Sequence, residues 1–283
     1  MPARIQPTAR QVRLGVELRK LREAAGLTSR EAARQLGTNP AQMSQIEAGN
    51  AGVSGERVRR LAVQYACADQ ELVDALVEMA TDRTRGWWDE YRDVLPPVFQ
   101  DLAELEHHAR FMQVVGTAHV PGLLQTEAYA RAVFDYVIPE LPQNERALRV
   151  EHRMRRRQVL TREGAASYEA LVHESVLRTR VADRLVARAQ LDELLSQSER
   201  PNITVRVIPF GVDGFAGAGA MMFYAGGPVP ELDTVQRDAP YGSAFLDAPA
   251  QLLAMRTLFR RVEAAALAPA KSQDYIRRMT KEL

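Results

Sequence analysis

The stretch Thr28 to Asn50, TSREAARQLGTNPAQMSQIEAGN, admits one local reading: two short helices joined by a tight turn. Thr28 with Glu31 three residues on fits a reciprocal capping box, in which hydroxyl and carboxylate each satisfy an orphan backbone donor. Asn39, Pro40 and Gln42 repeat the start signal, with proline at the first helical position, where its missing N–H costs nothing. Gly37 falls between them, where a helix ends in a left-handed residue. The first helix buries Ala32, Ala33 and Leu36, and the second buries Met43 and Ile46, a three-residue step that stays on one face. Two such helices around a glycine-containing turn make the helix-turn-helix pattern.

With Met43 and Ile46 inward, at ~100° per residue Ala41, Gln45 and Ala48 point outward, flanked by Gln42 and Ser44. A glutamine can bond the N6 and N7 edge of adenine, and an alanine methyl can touch the methyl of thymine. Small and amide side chains let such a helix sit deep in a major groove. The competing reading is a plain helical hairpin with a solvated polar face. Caps, turn and burial agree on the first.

The segment LRKLREAAGLTSREAARQLGTNPAQMSQIEAGNAGVS resembles the DNA-binding domain of xenobiotic-response-element-type (XRE) regulators. The marks are Leu18, Leu21 and Arg22 before Gly26-Leu27-Thr28, then Ala33 and Leu36-Gly37, then Ser44-Gln45-Ile46-Glu47 and Gly49. The resemblance implies a five-helix fold like that of phage repressors. Two positions depart from the usual pattern. Ser29 stands where a Gln that braces a phosphate is common, and Pro40 stands where a polar residue often faces the DNA.

Charge distribution agrees with a DNA-binding head. Over 283 residues the net charge is only +1, but residues 1–68 hold eleven Arg and Lys against five Glu, a net +6, leaving −5 for the remainder. A basic head on an acidic body suits a DNA-binding domain fused to a domain with another task. A chain of this length is expected to hold two domains, 1–82 and 83–283, joined by a polar linker at about 81–86. The one cysteine, Cys67, excludes an internal disulfide and fits a reducing cytoplasm. No signal-peptide core is seen at the start, and no apolar run approaches the ~20 residues of a membrane span. A soluble, cytoplasmic protein with no membrane partner is expected.

Along the chain, a first helix from about Thr8 to Gly26 carries Val12, Leu14, Leu18 and Leu21 on one face, with Arg19, Lys20 and Arg22 towards solvent. Ser54 caps a fourth helix bearing Val58, Leu61, Ala62 and Tyr65, and a fifth runs from about Asp69 to Thr81. Gly86-Trp87-Trp88-Asp89-Glu90-Tyr91 then holds both tryptophans. It reads either as a hydrophobic plug seating the linker on the second domain or as a partner or ligand contact through Trp87, Trp88 and Tyr91.

Beyond residue 96 the period changes. Strands are expected at 109–119, 167–176, 202–210, 220–225, 232–237 and 243–246. Helices are expected from Pro121-Gly122 to Tyr136, at 143–161, at 181–198 and finally at 248–267. The arginines of the 143–161 helix read as a solvated face paired with Glu145 and Glu151. Strands and helices mix without strict alternation, which predicts an α+β domain with one largely antiparallel sheet. Gly86-Trp87-Trp88, the run Val120 to Arg131 (VPGLLQTEAYAR), Arg157-Gln158 and the run Arg200 to Phe210 (RPNITVRVIPF) resemble the C-terminal domain of actinobacterial antitoxin-like transcriptional regulators. With the head, that resemblance spans almost the whole chain. It implies an XRE-type regulator, typically encoded beside a small partner protein.

Catalytic signatures are missing. His173-Glu174 begins like a zinc-protease motif, but Leu177 occupies the place of the second His. The five histidines lack metal-ligand spacing, and there is no G-x-S-x-G elbow or phosphate-binding loop. No enzyme activity, cofactor or metal is expected. The expected function is sequence-specific transcriptional regulation by a homodimer on double-stranded operator DNA. Ser29, Arg30, Asn39 and Asn50 would touch phosphates, and Ala41, Gln42, Ser44 and Gln45 the bases. The C-terminal domain would bind a partner protein or an effector. Two alternatives stand beside this: an antitoxin-like protein that neutralises a small neighbour-encoded partner and autoregulates, or a sensor of a small hydrophobic ligand held between sheet and helices.

Overall fold

The computed structural model describes residues 7–82, 86–137, 140–217, 221–239 and 242–283. The chain divides into two compact units, Met1–Leu105 and Glu106–Leu283. Residues 86–105 thus group with the first unit, some twenty residues past the expected boundary at 82. Of the expected linker, 83–85 lie outside the described residues.

The first unit begins with five helices: α1 (Ala9–Ala24), α2 (Ser29–Leu36), α3 (Pro40–Glu47), α4 (Gly55–Gln64) and α5 (Gln70–Thr81). Each starts on a side chain that accepts a backbone N–H, from Thr8, Thr28, Asn39, Ser54 and Asp69 in turn. Gly37 ends α2 with φ +72°, a conformation that side chains with a Cβ rarely adopt. Leu18, Ala32, Ala33, Leu36, Met43, Ile46, Val58, Leu61 and Leu76 form the buried interior. Val12, expected inward, is exposed. At ~100° per residue it lies across the helix from Leu14, so the two cannot share a face. A 3-10 turn, Trp87–Tyr91, and α6 (Pro97–His108) follow, the last residues of α6 belonging to the second unit.

The second unit is built on one six-stranded sheet. Its strands are β1 (Phe111–Gly116), β2 (Ser167–His173), β3 (Ile203–Ile208), β4 (Met222–Gly226), β5 (Thr234–Ala239) and β6 (Gly242–Leu246), in the order β3-β2-β1-β4-β5-β6. Three of the five pairings are antiparallel, β1–β4, β4–β5 and β5–β6. The other two, β1–β2 and β2–β3, are parallel. Parallel neighbours need long crossovers. These are supplied by α7 (Glu127–Asp135) and α8 (Gln143–Arg156) between β1 and β2, and by α9 (Glu174–Arg178) and α10 (Arg184–Gln197) between β2 and β3. The chain closes with α11 (Pro249–Ala265) and α12 (Pro269–Glu282).

On one face of the sheet Val115, Leu171, Ile208, Met222, Tyr224 and Val235 pack with Leu252, Phe259 and Val262 of α11. Period-two alternation turns Met112, Val114, Tyr168, Ala170 and Val172 to the other face, where all are buried. The outer edge of β3 is covered: the Leu267 N–H donates to the Val207 carbonyl at 2.8 Å, and the Val207 N–H donates to Ser272 Oγ at 3.0 Å. Arg206 completes that junction by donating to the carbonyls of Glu263, Ala266 and Leu267 at the end of α11.

Three expectations for this unit need correction. The strand expected at 167–176 stops at His173, because the His173 ring accepts the Ser175 N–H and starts α9. The helix expected from Pro121 is a short 3-10 turn, Gly122–Leu124, and α7 begins only where Thr126 caps it. After the helix expected at 248–267 the chain does not end its regular structure; α12 buries Ser272, Ile276, Met279 and Thr280 and packs along β3 and α10. Three arginines of α8 form ion pairs, Arg146 with Asp135, Arg149 with Glu145 and Arg156 with Glu106, while Arg153 donates to Gln125 and lies over the Phe134 ring. Arg157, just beyond the helix, pairs with Glu193.

Candidate nucleic-acid interface

The start of α2 is held by the capping box expected from Thr28 and Glu31. The Glu31 N–H donates to Thr28 Oγ1 at 3.2 Å, and the Thr28 N–H and hydroxyl both donate to the Glu31 carboxylate. Those bonds hold the Glu31 carboxyl below its usual value of 4.5. At the start of α3, the Gln42 N–H donates to Asn39 Oδ1 at 2.8 Å. The oxygen of Asn39, a residue expected to touch phosphate, is therefore occupied as a cap.

Met43 and Ile46 are 1% and 2% exposed, which fixes the rotation of α3. Ala41, Ser44 and Ala48 are then exposed, and Gln42 and Gln45 are half-buried along the same outer side. Asn50 is exposed after the helix, its N–H donating to the Gln45 carbonyl at 2.9 Å. Ser29 is half-buried and Arg30 exposed in the first turn of α2. All eight residues expected to face DNA thus lie on α2, α3 and the caps and turns next to them.

What holds α3 in place was not foreseen. Arg22 of α1, expected to face solvent, is buried and grips Glu47 at the end of α3, with Nε and Nη2 reaching the two carboxylate oxygens at 2.6 and 3.0 Å. Its Nη1 donates to the Leu27 carbonyl at 2.7 Å. The fork geometry is the strong form of an ion pair. Arg22 is i+4 from Leu18, on the inner face of α1, and that spacing was the signal available in the sequence. Arg19 and Lys20, expected towards solvent with Arg22, pair with Glu23 and Glu17. Alongside the clamp, α1 lies so close to α3 that a Cβ on Gly15 would stand 2.6 Å from the Glu47 carbonyl oxygen. Tyr65 is buried beside the clamp, and that burial, together with the nearby Glu47 carboxylate, pushes its hydroxyl up to about 12.

The tryptophan cluster is packed, not displayed. Trp88 and Tyr91 are 4% and 3% exposed, with Trp87 set edge-on to both rings, so only Trp87 has surface to offer a partner. The VPGLLQT run builds a tight corner after β1: Gln125 donates to the Val120 carbonyl and accepts from Arg153, while Gln190 accepts the Thr126 N–H and donates to the Leu124 carbonyl. Among the described residues no helix is long and apolar enough to cross a membrane.

Comparison with known families bears on both units. A family model described as a helix-turn-helix domain matches residues 13–76, which contain the whole of α2 and α3, and this supports a DNA-binding regulator. A second model, a domain of unknown function (DUF5753), matches residues 99–278. None of the curated proteins and none of the solved structures matches the chain. With well over half of its length in that second match, the chain belongs to the DUF5753 family, here with a helix-turn-helix domain at its N-terminal end.

Proposed function

We propose that this protein is a sequence-specific transcriptional regulator that reads operator DNA through α3. The observation that carries the reading is the outer side of that helix, where Ala41, Gln42, Ser44 and Gln45 form an uncharged surface on an element locked by Met43, Ile46 and the Arg22–Glu47 clamp. Short neutral side chains on a rigid helix can approach base edges closely, and glutamine can pair with adenine in the major groove. Ser29, Arg30, Asn39 and Asn50 stand around that surface to meet phosphates, with the amide ends of α2 and α3. Acting as a homodimer, the protein would place two copies of α3 in successive grooves roughly 34 Å apart, and its operator would share the two-fold symmetry. No catalysis is part of this function.

The second unit sets the regulator's state by binding a partner or effector that favours one conformation. Its resemblance to antitoxin-like regulators makes a small neighbour-encoded protein the first partner to test, by co-expression and native mass spectrometry. Selection of binding sites from random duplex by the purified protein tests the DNA reading itself. Gln45→Ala is expected to weaken the selected operator by about 1–3 kcal/mol while leaving random duplex almost unaffected. Equal losses on both duplexes would remove Gln45 from base reading, and the absence of any selected sequence would overturn the function.

A further inference from the structure

The first turn of α1 has no acidic residue of its own. A helix N-terminus favours negative charge and leaves its first N–H groups without intrahelical acceptors. Thr8 caps the Gln11 N–H at the helix's own N-cap, and α6, about ninety residues away in sequence, supplies a further acceptor and the negative charge. The Ala9 N–H donates to Asp101 Oδ1 at 2.9 Å, and Glu104, one turn further along α6, lies beside Thr8. Arg10, largely withdrawn from water, lies within electrostatic reach of Glu104 and of Asp82 and Glu78 at the end of α5. All of these groups belong to the first unit.

The consequence runs through α1. Six residues beyond Ala9, Gly15 brings α1 against the backbone of Ile46 and Glu47, and two turns further Arg22 holds the Glu47 carboxylate. Anything that fixes the start of α1 therefore fixes the end of α3. Asp101 and Glu104 lie outside the helix-turn-helix match at 13–76 and inside the DUF5753 match at 99–278.

We propose that Asp101 and Glu104 are positioning residues for the recognition helix, so that the first helix of the DUF5753 region completes the DNA-binding head. The effect on DNA rests on the regulator reading above; the effect on α1 and α3 does not. The two are separated by measuring both on the full-length protein. In Asp101→Ala/Glu104→Ala, hydrogen exchange without DNA is expected to accelerate at the start of α1 and at the end of α3, with the second unit unchanged. Affinity for an operator selected by the parent should fall about tenfold, and for random duplex less than about threefold, because misplaced base contacts cost the specific complex most. Asp101→Asn/Glu104→Gln, which keeps oxygen acceptors at both places, should restore most of the protection and of the operator affinity. Unchanged exchange in α3, acceleration spread evenly over both units, or equal losses on the two duplexes would overturn the proposal. If the parent selects no operator at all, the regulator reading fails, and the exchange pattern alone still decides whether Asp101 and Glu104 position α3.

Discussion

Each unit contains a buried arginine–glutamate pair, and the two are built differently. In the head, Arg22 and Glu47 are 25 residues apart and join two helices that begin and end on their own signals. In the second unit, Arg156 of α8 holds Glu106 of α6 across 50 residues, at 2.8 and 2.5 Å. Thr126, His173 and Asp183 cap α7, α9 and α10 of that unit, but α8, which carries Arg156, and also α11 and α12 begin without any side-chain cap bond. The head is assembled from segments that are already helices, and its ion pair orients them. The second unit relies on distant partners to define where its elements lie, so its ion pair has a larger share in holding the fold.

That contrast can be broken most directly at Glu106. Its side chain is 2% exposed against 10% for Arg156. Glu106→Ala would leave a buried guanidinium without its counter-charge, and a loss of about 3–5 kcal/mol is expected in the unfolding of the second unit. Denaturant melts followed by hydrogen exchange in that unit check it; a loss under about 1 kcal/mol would mean the pair is dispensable, as well-solvated pairs are.

A smaller effect is expected from the local signals of the head. Thr28→Ala removes the cap of α2 and should cost about 1 kcal/mol, read as a shift of the head's unfolding midpoint at unchanged slope. A change in slope would show that more than a cap had been lost.

The smallest expected effect is on pH dependence. The Glu31 carboxyl is held below 4.5 by Thr28. A carboxyl lowered by folding adds stability above its unfolded value, and that increment disappears as pH falls through the folded one. Proton titration followed by NMR should place Glu31 below an ordinary glutamate in the parent and return it to the ordinary range in Thr28→Ala. An unshifted Glu31 in the parent would dissolve the capping box.

These differences also explain what could be read from the residues alone. Thr28, Gly37 and Asn39-Pro40 specify starts and stops by short-range chemistry, so α2 and α3 could be placed to the residue. The burial of Arg22 is hidden in the sequence, because a charged side chain reads as solvent-facing until its partner Glu47 is known. Strand β2 was overrun because Ser175 and Val176 continue a strand-like pattern, and only the bond from the Ser175 N–H to the His173 ring ends it. The helix α12 leaves little trace in the sequence because its buried face includes Ser272 and Thr280, which fill the spacing without adding hydrophobic signal. That β1, β2 and β3 run parallel could not be inferred, since each pairing joins residues more than thirty positions apart.

The Arg22 clamp has one more consequence, for the ionic behaviour of the protein. Arg13 and Arg22 are buried against glutamates, and Arg19, Lys20 and Arg59 each rest on a carboxylate of the head. The eleven Arg and Lys of residues 1–68 thus overstate how many basic side chains are offered to the sugar-phosphate chain. Each phosphate neutralised releases roughly 0.9 of a condensed counterion, so a complex formed by few such contacts is only weakly sensitive to salt. A head of this kind would keep its hold on DNA through changes in cellular ionic strength that would loosen a regulator relying on arginine and lysine.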